Sequence, residues 1–122
     1  MSKLQSVQTS KFNKTMQTDI FRGTDQKASG VIRNPDGTAY NLTDKSIEWF
    51  LKKKGQTTIL IFKRADISDP PENGGYSFDL SHIETVNIPE AIYEYGILVR
   101  SNDMLVYSGG GEVSVRTPGG LS

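Results

Sequence analysis

The residues of this chain that can do chemistry are few, and each is tested by its spacing. Glu90 and Glu94 are the carboxylate pair that a glycosidase needs, one as acid and one as nucleophile or base. They lie at even spacing on or near one strand, and that spacing gives no sign that they flank a sugar. His82 is the lone histidine, set in the surface turn "LSHIETV", and no second imidazole can share a metal with it. "GYSFD" (75–79) starts like the G-x-S-x-G nucleophile elbow, but it ends in aspartate and lies within an alternating strand. An elbow needs a sharp strand-to-helix turn. "SGGG" (108–111) lacks the Gly-Lys-Ser/Thr of a phosphate loop, and a strand comes after it where a helix N-terminus would hold the anion. Asp66, Asp69 and Glu72 offer oxygens to calcium in one loop, at spacings that miss the EF-hand pattern. The run Lys52–Lys54 reads as a solvated hairpin tip that blunts edge pairing, not as a phosphate patch. Asn13 and Asn41 stand in N-x-T sequons without a secretory signal before them. The expectation is a non-enzyme with no catalytic residue, no cofactor and no metal.

Composition points the same way. The 122 residues carry 14 lysines and arginines against 14 aspartates and glutamates, so no overall field draws the chain to nucleic acid or an anionic membrane. There is no cysteine, hence no disulfide and no zinc–thiolate site. The N-terminus has no apolar run for a signal peptide or membrane span, which leads us to expect synthesis in a cytoplasm without secretion. A chain of this length folds most simply as one domain that buries ~65% of its unfolded surface.

The elements that would position any site are strands. Residues 1–15, rich in Ser, Gln, Lys and Thr, read as a flexible N-terminal arm. Residues 16–117 read as a single domain, and 118–122 as a tail or linker. "NPDG" (34–37) has proline and glycine where a type I turn needs them. In "SIEWFLKKKGQTTILIFKR" a two-residue Gly55-Gln56 turn pairs Lys54 with Thr57. Counting onward sets Leu51 opposite Leu60 and Trp49 opposite Phe62. On the other face Phe50 meets Ile61 and Glu48 meets Lys63. Trp49 is then core, and Phe50 and Ile61 are left on the outer face as candidate partner contacts. "DISDPPENGG" is a loop, and "GYSFDL" is a strand with Tyr76, Phe78 and Leu80 on one face. Tyr93, Tyr95, Ile97 and Val99 share a face. An Asn102-Asp103 turn sets Val99 opposite Val106 and Leu98 opposite Tyr107. After Gly109–Gly111, which reads as a bulge or a crossing between sheets, a last strand turns Val113 and Val115 inward. "LSHIETVNIPE" holds one helical turn before Pro89. The sum is an all-β chain, an antiparallel two-sheet β-sandwich (Ig-like or jelly-roll-like) of about seven or eight short strands.

The order of these pieces is familiar. "TDIFRG", "DGTAYNLTDKSIEWFLKK", "GGYSFDLSHIETVNIPEAIYEYGILVR" and "GGGEVSVRTP" together resemble the N-terminal β-sandwich domains of siphophage baseplate upper proteins. They also resemble related receptor-binding and tail-tip proteins of phages of Gram-positive bacteria. The resemblance covers roughly Thr18 to Pro118, with Ala91 standing where family members usually have glycine. It implies a non-enzymatic structural or adaptor module of the tail or baseplate, located in the virion. Its partners would be other tail proteins or further copies of itself, with no nucleic acid and no membrane. Two other classes stay open on the residues alone. One is a host-surface carbohydrate- or receptor-binding module that works through loops and exposed tyrosines. The other is a small non-virion phage protein that binds a host factor.

Overall fold

The computed structural model describes the backbone of residues 16–17 and all of residues 19–118. Eight strands form among them: β1 (Met16–Gln17), β2 (Ile20–Phe21), β3 (Gln26–Val31), β4 (Ser46–Lys53), β5 (Ile59–Ile67), β6 (Gly75–Leu80), β7 (Ala91–Ser101) and β8 (Met104–Arg116). A 3-10 turn, Pro71–Asn73, and one helical turn, α1 (His82–Thr85), complete the set. The expected N-terminal arm, with its candidate sequon Asn13, lies outside the described residues, as does most of the C-terminal tail.

The strands make one continuous row in the order β1-β3-β6-β5-β4-β7-β8-β2. Every pairing is antiparallel except β2 with β8, which is parallel, so the sheet is mixed. The expectation of a purely antiparallel fold is corrected there. In a flat sheet, seven strand spacings would hold the ends of the row about 34 Å apart. Yet the end strands, β1 and β2, are separated in sequence by two residues, which reach about 11 Å. The row therefore curls until its ends approach. Gln26 fastens the seam. Its side-chain amide accepts from the Phe21 N–H at 2.9 Å and donates to the Phe21 carbonyl at 2.6 Å, as a neighbouring strand would. β5 forms the opposite bend, pairing with β4 along most of its length and with β6 at Asp66 and Ile67.

The alternation read from sequence explains the interior. Tyr76, Phe78 and Leu80 point inward, as do Tyr93, Tyr95, Ile97 and Val99, and Val113 and Val115. Trp49 is fully buried, its ring 4.4 Å from Phe78 and 6.3 Å from Tyr95. α1 caps one end, with Ser81 and Glu84 forming a reciprocal capping box. The "NPDG" turn closes as expected, Gly37 N–H donating to the Asn34 carbonyl at 2.9 Å.

Two registers differ from the sequence reading, and for one reason. Near its turn, β4–β5 holds the expected pair Lys52↔Ile59, but a bulge then makes Leu60 the extra residue. Beyond it Leu51 faces Ile61, Phe50 faces Phe62, Trp49 faces Lys63 and Glu48 faces Arg64. The turn itself is centred one residue earlier than expected. Gln56 N–H donates to the Lys53 carbonyl, and Gly55 takes a positive φ as the third turn residue. In β7–β8 the Asn102-Asp103 turn holds, both residues at positive φ. A bulge then leaves Val106 as the extra residue and sets Val99 opposite Tyr107 and Leu98 opposite Ser108. Nor do Gly109–Gly111 interrupt the sheet. They continue β8 opposite Ile97, Gly96 and Tyr95, and glycine is needed at 110 because a Cβ there would strike the Tyr95 carbonyl.

Candidate functional site

Strand alternation gives the β4–β5 hairpin a distinct outer face. Ile47, Trp49 and Leu51 point inward from β4, which turns Glu48, Phe50 and Lys52 outward. In β5, Ile61 and Ala65 point inward, which turns Phe62 and Arg64 outward. Two cross-strand pairs result, aromatic Phe50–Phe62 and acid–base Glu48–Arg64. Phe62 is 52% exposed, Ile59 50% and Leu60 41%, an unusual concentration of open apolar surface in one strand. Phe50 is half-buried because its ring lies flat over Gly96 of β7, where any side chain would collide with it.

The expected partner contacts thus divide. Phe50 is on the outer face. Ile61 is not, because the Leu60 bulge turns it into the core at 6% exposure, and Phe62 takes the outer place. The sequence did hold a signal for this. Ala65 and Ile67 alternate with the charged Arg64 and Asp66, and counting back from them puts Ile61 inward and Phe62 outward. The same count sends Lys63 inward opposite Trp49, so the expected Glu48–Lys63 pair does not form. The Lys63 ammonium instead escapes along its own stem to the end of the rolled sheet that α1 caps, 2.8 Å from Glu84. Glu48 is served by Arg100 at 3.3 Å.

Charges ring the apolar centre. Lys52 meets Glu94 at 3.0 Å and Lys54 meets Glu112 at 2.8 Å. The Lys52 ammonium and the Gly55 N–H hold Glu94 below its ordinary range. Arg64 is exposed and has no ion-pair partner among the described residues. An aromatic centre bordered by paired charges has the anatomy of a contact surface.

His82 is exposed, and it ties α1 to the β2–β3 turn through Asp25, at 2.7 Å from its backbone N–H and 3.0 Å from Nδ1. Those bonds hold the Asp25 carboxyl low. Burial works to raise Glu84, but its bonds from Lys63 and from Ser81 outweigh that and hold it low. Asp25, Lys27, Lys63, Asp79 and Glu84 line a shallow open depression in which Lys27 pairs with Asp79 and Lys63 with Glu84, while Asp25 is hydrogen-bonded to His82. Glu90 accepts from the Thr117 backbone N–H, and Glu94 lies in mid-strand with Lys52, so the two glutamates serve separate partners. Asp66, Asp69 and Glu72 are all exposed. Among the described residues, no three His, Cys, Asp or Glu converge as a metal-holding group. The Asn41 side chain accepts from the Thr43 N–H and hydroxyl, closing a local turn. None of the five tyrosines is exposed. Tyr93 donates to the Pro89 carbonyl, and Tyr107 to the Arg33 carbonyl. The exposed tyrosines of the carbohydrate-binding alternative are therefore absent from the surface.

No protein-family model and no curated protein matches this sequence. Among solved structures the fold is similar to CopC from Methylosinus trichosporium OB3b, at 13% identity and TM-score 0.45, covering 88% of this chain and 91% of that one. It is similar to superoxide reductase (neelaredoxin) from Ignicoccus hospitalis, at 9% identity and TM-score 0.48, covering 95% and 99%. A filamin domain of Lin-41 aligns at 11% identity and TM-score 0.37, covering 86% and 94%. Likenesses at this level carry no argument about function.

Proposed function

We propose that this chain is a non-enzymatic structural or adaptor module of a phage tail or baseplate, working through protein–protein contacts. In this reading the rolled sheet acts as two facing layers, β1-β3-β6 and β4-β7-β8, hinged at β5, and they present surfaces rather than enclose a reaction. The observation that carries the proposal is the outer face of β4–β5. Phe62, Leu60 and Ile59 are left open there side by side, next to the half-buried Phe50 and inside a rim of paired charges. Open apolar area of this kind is ordinarily covered by a partner. The resemblance to baseplate and tail-tip modules supplies the setting, in which a weak contact gains strength by repetition around a symmetry axis. The partners are other tail proteins or further copies, and the location is the virion. Mass spectrometry of purified particles tests this directly. The chain should appear at a fixed ratio to the other tail proteins, and its absence from intact particles would remove the structural role.

A further inference from the structure

We infer that the occupant of the β4–β5 outer face is a second copy of this chain, docked face to face about a two-fold axis that runs along the strands between β4 and β5. The inference deepens the contact-module reading and rests on it for the claim that this face is covered.

Three features single out a like partner. First, the face is complementary to itself. A two-fold axis in that position lays β5 of each copy over β4 of the other. Each Phe62 then meets Phe50, and each Arg64 meets Glu48, because these residues already stand opposite each other across the hairpin. Arg64, the guanidinium without an ion-pair partner, gains one, and Glu48 adds a second donor to Arg100. Second, the charge balance suits self-association. The rim carries both signs in pairs, and the whole chain has a net charge of zero, so two copies approach without repulsion. Third, the area fits a weak dimer. Phe62, Leu60, Ile59 and part of Phe50 expose on the order of 300 Å² of apolar surface. With the charged rim the footprint approaches ~500 Å² per copy, so about 1,000 Å² in all, the lower limit of a specific interface. The alternative of adding strands edge to edge is poorly served here, since the sheet curls and seals its ends at Gln26 and Phe21.

Sedimentation equilibrium of the full chain from about 10 μM to about 1 mM, the span in which a weak interface fills, reads the mass directly. The wild type should move from monomer towards dimer as concentration rises. Phe62→Ser, at a side chain already half open, should weaken the dimer at least tenfold with circular dichroism unchanged. Arg64→Glu and Glu48→Arg should each be monomeric, because each sets like charges against one another across the axis. Mixing these two variants should restore a dimer, since acid then meets base at both contacts. A wild type that stays monomeric throughout overturns the inference, as does a dimer indifferent to Phe62→Ser or a mixture that fails to associate. A monomeric chain that is still found in purified particles would keep the tail reading and hand the face to a different protein.

Discussion

The two long hairpins of this molecule, β4–β5 and β7–β8, use the same backbone device to opposite ends. Each gains one extra residue in the returning strand, a few positions beyond its turn. In β8 the extra residue is Val106, which packs against the core. In β5 it is Leu60, which is sent to solvent at 41% exposure beside Ile59 and Phe62. The difference lies in the residues beyond each bulge. Past Val106, the slip turns Tyr107 fully inward, where its ring lies 4.7 Å from Tyr40 and burial pushes its phenol well above the ordinary range. Past Leu60, the slip turns Ile61 inward but also Lys63, whose charge must be led out to Glu84. Past its bulge, β8 commits its large apolar side chains, Tyr107, Val113 and Val115, to the interior, while Ile92 and Met104 stay open singly near the ends of their strands. The β4–β5 hairpin keeps a share of its own on the outside, which is why it is the candidate contact surface.

Trp49→Ala should break both hairpins at once, because β4 pairs with β5 on one side and β7 on the other. Removing the fully buried indole is expected to cost about 3–5 kcal/mol and, with it, the cooperative thermal transition. Retention of a normal melting curve would contradict a shared core. Gly110→Ala probes the β7–β8 side alone. The new methyl meets the rigid Tyr95 carbonyl, so a loss of about 1–3 kcal/mol should appear in denaturant unfolding. The contrast between the two bulges is sharpened by a matched pair. Val106→Ser should cost about 1 kcal/mol, whereas Leu60→Ser should stay within about 0.5 kcal/mol. Equal costs would erase the distinction between an absorbed and an extruded residue.

A further small effect depends on pH. The folded pKa of Glu84 is depressed, so its contribution to stability is present above the unfolded value of ~4.3 and is lost as pH falls through the lower folded value. Glu84→Gln should therefore lower stability at neutral pH by about 0.5–1 kcal/mol, the screened range for a pair a quarter to a third exposed. It should also flatten the acid limb of the stability curve below about pH 4. An unchanged acid limb would mean that Lys63 finds its balance elsewhere.

Much of this architecture was legible from local pattern. Tyr76–Phe78–Leu80 and Tyr93–Tyr95–Ile97 alternate with polar or small residues, and a period of two admits only one inward face once a sheet has a core. Asn34–Gly37 and Asn102-Asp103 announce their turns because those conformations are set by the residues themselves. The run "ILIF" was not legible in the same way. Four apolar residues in a row satisfy either face, and the choice passes to whatever lies across the strand.

The sequence by itself determined that the chain is built of short strands, which residues turn it, and that Trp49 lies in the core. Tertiary structure alone decided the two bulges, the parallel contact of β2 with β8, and the partners of Lys63 and Glu48, while the exchange of Ile61 for Phe62 was signalled only by the alternation further along β5. The physical reason is range. Alternation and turn preference act over a few residues, whereas the partners that fix a strand's place come from far along the chain, as Glu84 of α1 does for Lys63 about twenty positions before it and Arg100 of β7 for Glu48 about fifty before it.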